Sequence, residues 1–235
     1  GLDAAELARL QADPERLAGL DLAGWLTHLV GADEAGNPLT ATQVARFRAA
    51  LGRLPPAPTS VANSSGLFRA EAAGFDLARP GCALYGVNPT PEAPNPMAGV
   101  VRLYARVLQV REAEAGDTVG YGAAHRLDRP SRIATLAIGY ADGYLRSLSG
   151  RGRVAFGGVE APILGRVSMD LVTVDVTALP PDRVHPGAWA EVIGPHCPVD
   201  DVAAAAGTVG YEILTDLGRR YLRRYTGPTG AEENG

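Results

Sequence analysis

VNPTPEAPNPMA, residues 87–98, decides how the rest of the chain is read. Pro89, Pro91, Pro94 and Pro96 fall inside it. Each proline removes a backbone N–H and fixes φ, so no helix or inner strand runs through such a stretch. It marks a boundary. Residues 89–98 form a linker, residues 1–88 and 99–225 form two domains, and the Gly-, Thr- and Glu-rich tail 226–235 is expected to be disordered.

Upstream of the prolines, strand, loop and helix signals alternate. Asp3 with Glu6 three residues later has the spacing of a capping box for a helix through about Leu10. Trp25–Val30 reads as a short strand containing His28. Ala41–Leu51 reads as a helix, with Val44, Phe47 and Leu51 at i, i+3 and i+7, Thr40 as N-cap and Gln43 completing a second capping box. Thr59–Ala62 reads as a brief strand, Asn63-Ser64-Ser65 as a helix start, and Phe75–Tyr85 as strand broken at Arg79-Pro80-Gly81. This alternation predicts βα units around a parallel sheet. A full eight-unit barrel needs about 200 residues or more, so 1–88 are expected to be part of one only.

Downstream the signals are β. Val101, Leu103, Ala105 and Val107 alternate with Arg102, Tyr104 and Arg106, as on a half-buried strand. Gly157-Gly158 predicts a hairpin turn, and Arg132–Ile138, Val167–Val176 and Ala188–Ile193 predict strands. Short helices are predicted after Asp200-Asp201 and over Tyr211–Leu217. The fold class is therefore α/β plus β: an incomplete TIM-like βα barrel followed by a mostly β domain.

The run GDTVGYGAAHRLDRPSRIATLAIGYADGY, residues 116–144, holds the residues of chemical interest. Tyr121 and Tyr140 each follow a glycine there. A phenol is a weak acid with a pKa of about 10, but it carries protons when a cation or donor stabilises its anion. On these residues alone, two aromatics at ordinary strand ends are the commoner reading.

Composition narrows the classes. The 46% hydrophobic and 20% charged residues are those of a soluble globular chain. No apolar run spans a bilayer and no signal-peptide pattern opens the chain, so neither a membrane nor secretion is expected. The net charge of −4 predicts no nucleic-acid partner. Cys82 and Cys197 stand far apart in no metal-binding spacing, which predicts no metal and a reducing cytoplasm. No lysine is present, so chemistry that needs a lysine amine cannot come from these residues.

Seven stretches together resemble the alanine racemase family: WLTHLVGADE (25–34), VANSS (61–65), ARPGCALYG (78–86), GYG (120–122), AIGYADGYLR (137–146), ILGRVSMDLVTVDVT (163–177) and GTVGYEILTDLGRRYLRRY (207–225). Singly they are weak; in this order they cover the chain to Tyr225. The resemblance implies a pyridoxal-phosphate-binding barrel, a C-terminal β domain, and a head-to-tail homodimer with sites between one subunit's barrel and the other's β domain. It implies interconversion of L- and D-alanine for the bacterial cell wall.

The resemblance also implies roles. Tyr121 matches the catalytic tyrosine, which moves a proton on one face of the substrate Cα in the partner subunit's site. Arg79 matches the arginine facing the pyridine nitrogen, and His28 a histidine linked to it. Ser64, with the backbone around Gly81 and Cys82 and the hydroxyl of Tyr211, matches the phosphate cradle. Met169 matches a methionine whose backbone N–H binds the substrate carboxylate, and Tyr140 a residue at the mouth of the substrate channel. Cys82 departs from the aliphatic residue usual there. Asp142 and Asp170 are read as organising turns.

The family's Schiff-base lysine has no counterpart here, and the first residue is glycine, not methionine. The chain is thus expected to be the C-terminal portion of such a racemase and inactive alone. A non-catalytic subunit lending Tyr121 and Met169 to a lysine-bearing partner, an inactive remnant, and a racemase of serine or other small amino acids are the alternative readings.

Overall fold

The computed structural model describes residues 1–227 and the backbone of Glu232–Glu233. The chain divides into two compact units, Gly1–Val100 and Val101–Gly235.

In the first unit, α1 (Ala4–Ala12) begins as expected. Asp3 accepts from the Glu6 N–H, and Glu6 accepts from that of Asp3. β1 (Trp25–Leu26) and β2 (Thr59–Ser60) pair in parallel, and a single bridge from Ser60 to Leu77 adds a third parallel segment. The regular strands are shorter than the sequence suggests. Beyond their ends the ladder continues only as isolated bonds, Thr27 N–H to Ser60 and Arg79 N–H to Ala62.

Residues 82–85 are not strand but a 3-10 turn, closed by Gly86 in the left-handed region. α2 (Pro38–Leu51) starts three residues earlier than predicted. Asn37, not Thr40, is its cap, accepting from the Leu39 N–H, with Pro38 in the first turn. Val44 from α2 joins Leu29, Ala32, Val61, Ala62 and Ala72 in the core, flanked by Phe47 and Phe75.

The second unit is built on a closed antiparallel barrel of six strands. These are β3 (Leu103–Ala113), β6 (Ser131–Leu136), β7 (Arg153–Phe156), β8 (Val159–Leu164), β9 (Val172–Asp175) and β10 (Trp189–Ile193). Their order is β10-β3-β6-β9-β8-β7, and β10 closes the ring on β7. Leu103, Ala105 and Val107 point inward as the alternation predicted, while Arg106 stacks outside over Trp189. A register shift between Val107 and Gln109 bends β3, which serves β10 with its first half and β6 with its second.

Two minor strands, β4 (Thr118–Val119) and β5 (His125–Arg126), form a hairpin that leaves the barrel after β3. Val119 and Leu127 pin it to Ile133 and Leu164. α3 (Val199–Ala206) and α4 (Gly210–Asp216) follow the barrel. β11 (Tyr225–Thr226) pairs with β12 (Glu232–Glu233). The remainder of the tail expected to lack order lies outside the described residues. Among the described residues no helix is long and apolar enough to cross a membrane.

Candidate functional site

In βα folds, ligands gather where parallel strands end. In the first unit His28 follows β1, Ser64 follows β2, and Arg79 follows the Leu77 bridge. Arg79 is half-buried and held on two sides. One guanidinium nitrogen donates to Ser60 Oγ and the other to the Thr27 carbonyl at 2.9 Å. Ser60 in turn donates to the Leu77 carbonyl at 2.8 Å. The cation is thereby fixed across all three strand ends.

The Ser64 side chain is buried and does not cap the turn that follows, which begins at Ser65. Its Oγ instead accepts from the N–H groups of Gly81, at 2.9 Å, and Ala83, at 3.2 Å, tying the two loops together. Among the described residues nothing accepts from the N–H groups of Ser65 and Cys82, which open the two adjacent 3-10 turns. Two idle N–H donors and a hydroxyl proton therefore lie in one loop pair, a donor set suited to an anion. Cβ at Gly81 would meet open space, so backbone there is accessible.

The His28 ring is exposed and makes no hydrogen bond among the described residues; Arg79 reaches the neighbouring Thr27 instead. What holds this segment is Gln43. Its amide nitrogen donates to Thr27 Oγ1 at 2.9 Å and to the His28 carbonyl at 2.6 Å, and its oxygen accepts from the Val30 N–H. Gln43 therefore braces the β1 end, where sequence spacing had assigned it to a capping box. The signal was a polar residue inside the apolar stripe of α2, beside Val44.

In the second unit three of the predicted residues gather around one irregular segment, Gly165–Leu171, between β8 and β9. Tyr121 sits at the tip of the β4–β5 hairpin and is 72% exposed. The hairpin packs backbone against backbone. A Cβ on Gly165 would come 2.7 Å from the Val119 carbonyl, and one on Gly120 3.0 Å from the Arg166 nitrogen, so only glycines fit. The Arg166 guanidinium lies against Gly122, next to Tyr121, a neighbour the sequence did not signal.

Met169 is not in a strand: β9 begins only at Val172, and Ser168–Leu171 form a turn closed by Ser168 N–H to the Leu171 carbonyl. The Met169 N–H has no acceptor among the described residues. Tyr140 begins a short turn whose N–H groups clasp this segment, Tyr140 to the Ser168 carbonyl at 3.0 Å and Ala141 to that of Met169 at 2.9 Å.

Asp142 is buried and accepts from the Gly139 N–H at 2.9 Å, so it does organise its turn. Asp170 takes part in an ion pair with Arg220. Hydrogen bonding to Asp170, and then the charge of Asp142, raises the Arg220 pKa further. Tyr211 stands exposed in the first turn of α4. No hydrogen bond joins it to Tyr121, Tyr140 or Met169.

These features define a class: a two-domain protein whose βα unit presents a fixed arginine and an anion-ready loop pair at its strand ends, joined to a β-barrel domain that displays tyrosines. Residues 1–89 match the profile of the alanine racemase N-terminal domain, and residues 100–225 that of the alanine racemase C-terminal domain. The chain belongs to the alanine racemase family.

Among its relatives, the alanine racemase of Acidiphilium cryptum is 52% identical over 95% of this chain and 62% of its own length. The crystal structure of alanine racemase from Bartonella henselae with covalently bound pyridoxal phosphate superposes with a TM-score of 0.89 at 43% identity, covering 94% of this chain and 61% of that one. The biosynthetic alanine racemase of Pseudomonas aeruginosa gives 0.88 at 36%, covering 97% and 63%. The chain thus spans about three fifths of the length of the relatives it matches.

Proposed function

We propose that this chain forms part of a pyridoxal-phosphate-dependent alanine racemase, supplying part of a TIM-like barrel and a C-terminal β domain. The observation that carries this is the Arg79 cation fixed across three parallel strand ends, beside the buried Ser64 hydroxyl and the idle N–H groups of Ser65 and Cys82. That donor set fits a phosphate at one end and a ring nitrogen at the other.

Pyridoxal phosphate, when bound, draws electrons from the substrate Cα and so acidifies its C–H bond. Arg79 effectively never gives up its proton, so it donates to the pyridine nitrogen without protonating it. This tempers the electron withdrawal and favours simple proton exchange. Ser64 and the backbone of Gly81 and Cys82 would hold the phosphate, while His28 lies at the arginine's end.

Inversion at carbon needs one base on each face. Tyr121 supplies one of them: its phenol oxygen takes the Cα proton from one enantiomer or returns it to form the other. In a head-to-tail homodimer it does so in the partner's site, where the idle Met169 N–H binds the substrate carboxylate and Tyr140 limits side-chain size. The second base and the covalent anchor for the cofactor are a lysine amine from outside these 235 residues, none of which is lysine. The compartment is the cytoplasm.

Mixing the chain with a polypeptide carrying the lysine-bearing part of a family barrel, plus pyridoxal phosphate, tests this. The expected result is absorbance of the lysine-bound cofactor and D-alanine formed from L-alanine, with neither from the chain alone. Racemisation by the purified chain alone, or none from the mixture, would refute it. The lysine-free composition equally suits a subunit that lends Tyr121 and Met169 to a different lysine-bearing chain. In that case Arg79→Ala leaves the mixture active.

A further inference from the structure

Two acidic side chains from different loops converge on one guanidinium. Arg220 Nε lies 3.2 Å from Asp142 Oδ1, and Arg220 Nη1 lies 2.7 Å from Asp170 Oδ1. Asp142 comes from the Tyr140 turn and Asp170 from the residue after Met169. The segment that brings Arg220 is itself anchored, by Gly218 N–H to the Asp142 carbonyl at 3.0 Å and by Arg223 donating to the carbonyls of Leu217 and Gly218.

Exposed ion pairs usually contribute little. This one differs in two respects. Asp142 is buried, so loss of its cation leaves a desolvated carboxylate with no partner charge. The same cation also separates two like charges, on the very loops whose clasp consists of Tyr140 N–H to Ser168 and Ala141 N–H to Met169. Removing it sets Asp142 against Asp170 and favours opening of that clasp.

We propose that Arg220 is a positioning residue: it holds the loops that carry Tyr140 and Met169 together, and so sets the size of side chain admitted beside them. The size-setting part rests on the racemase reading above. The Arg fork matters, because a lysine offers a point charge that serves one carboxylate better than two.

The test uses Arg220→Ala and Arg220→Lys in the full chain. Amide exchange at Tyr140 and Ala141 should quicken about tenfold in R220A and less in R220K, with the β6 and β9 amides of Ala134 and Val174 unchanged. Unchanged exchange at Tyr140 and Ala141, or uniform acceleration through the barrel strands, would overturn the clamp. Should R220A fail to fold, R220K decides on the same criteria.

In the complex with the lysine-bearing barrel polypeptide, R220A should raise KM for alanine about fivefold while kcat moves less than about twofold, and the preference for alanine over serine should fall. An unchanged KM and preference would overturn the size-setting role. A wild-type complex without racemisation overturns the racemase reading, and that role with it, while amide exchange still judges the clamp.

Discussion

Gly139→Ala should unfold the second unit far more readily than a methyl of the same size added where space is open. The backbone is not the reason, since φ at Gly139 is −159°, open to any residue. Space is. A Cβ there would lie 2.3 Å from the Met169 carbonyl oxygen and 2.4 Å from that of Ser168. Ordinary contact begins about 1 Å further out, so both carbonyls must retreat. They are the acceptors for Ala141 and Tyr140. Overpacking of this kind costs about 1–3 kcal/mol, and two weakened backbone bonds add about 1 kcal/mol each.

A loss of about 3–5 kcal/mol follows, which for a domain of this size lowers Tm by roughly 12 °C or more. Thermal and urea unfolding followed by circular dichroism measure it, with Gly99→Ala as control, because a Cβ there meets nothing. A Tm within about 2 °C of the parent would refute the close approach of these loops.

Two further outcomes are expected in the same unit. Burial alone would push the Glu191 carboxyl up, but the N–H of His196, its ring and the N–H of Cys197 together hold it below the usual range. A depressed carboxyl stabilises above its unfolded pKa of about 4.3 and loses that contribution as pH falls through the folded value. Glu191→Gln should therefore cost about 1–2 kcal/mol at pH 7 and flatten the acid limb of stability against pH; an acid limb of unchanged slope would count against the assignment. Tyr144→Phe removes a buried hydroxyl that has no partner among the described residues, beside a cavity of about 20 Å³ also lined by Cys197. Stability in urea should hold or rise by about 1 kcal/mol, whereas a clear loss would mean that a partner such as a bound water holds the hydroxyl.

The local rules of sequence carried the architecture a good way. Prolines 89 to 96 reported a break because prolines this dense remove the backbone N–H groups that a helix or inner strand needs, and Leu103-Ala105-Val107 reported a strand because burial of one face imposes period two. Asn37 before Pro38 was an equally legible helix start, overlooked because Thr40 and Gln43 also have capping spacing. The true role of Gln43 depends on partners far away in sequence, Thr27 and His28. Met169 read as strand because Val167, Met169 and Leu171 alternate with Ser168 and Asp170, yet Ser168 and Leu171 close a turn around it. Closure of the barrel rests on Glu191 meeting Ala155, and the acidic pair on Arg220; such long-range meetings leave no periodic trace.

Tyr121 as a one-faced proton carrier is the centre of the account. The direct measurement is exchange of the Cα hydrogen of alanine with deuterated water, followed separately for each enantiomer, in the complex of this chain with the lysine-bearing barrel polypeptide. The wild-type complex should exchange both and interconvert them. Tyr121→Phe should abolish interconversion and exchange from one enantiomer while the other still exchanges through the lysine's face. Undiminished racemisation by Tyr121→Phe, or equal residual exchange from both enantiomers, would contradict it.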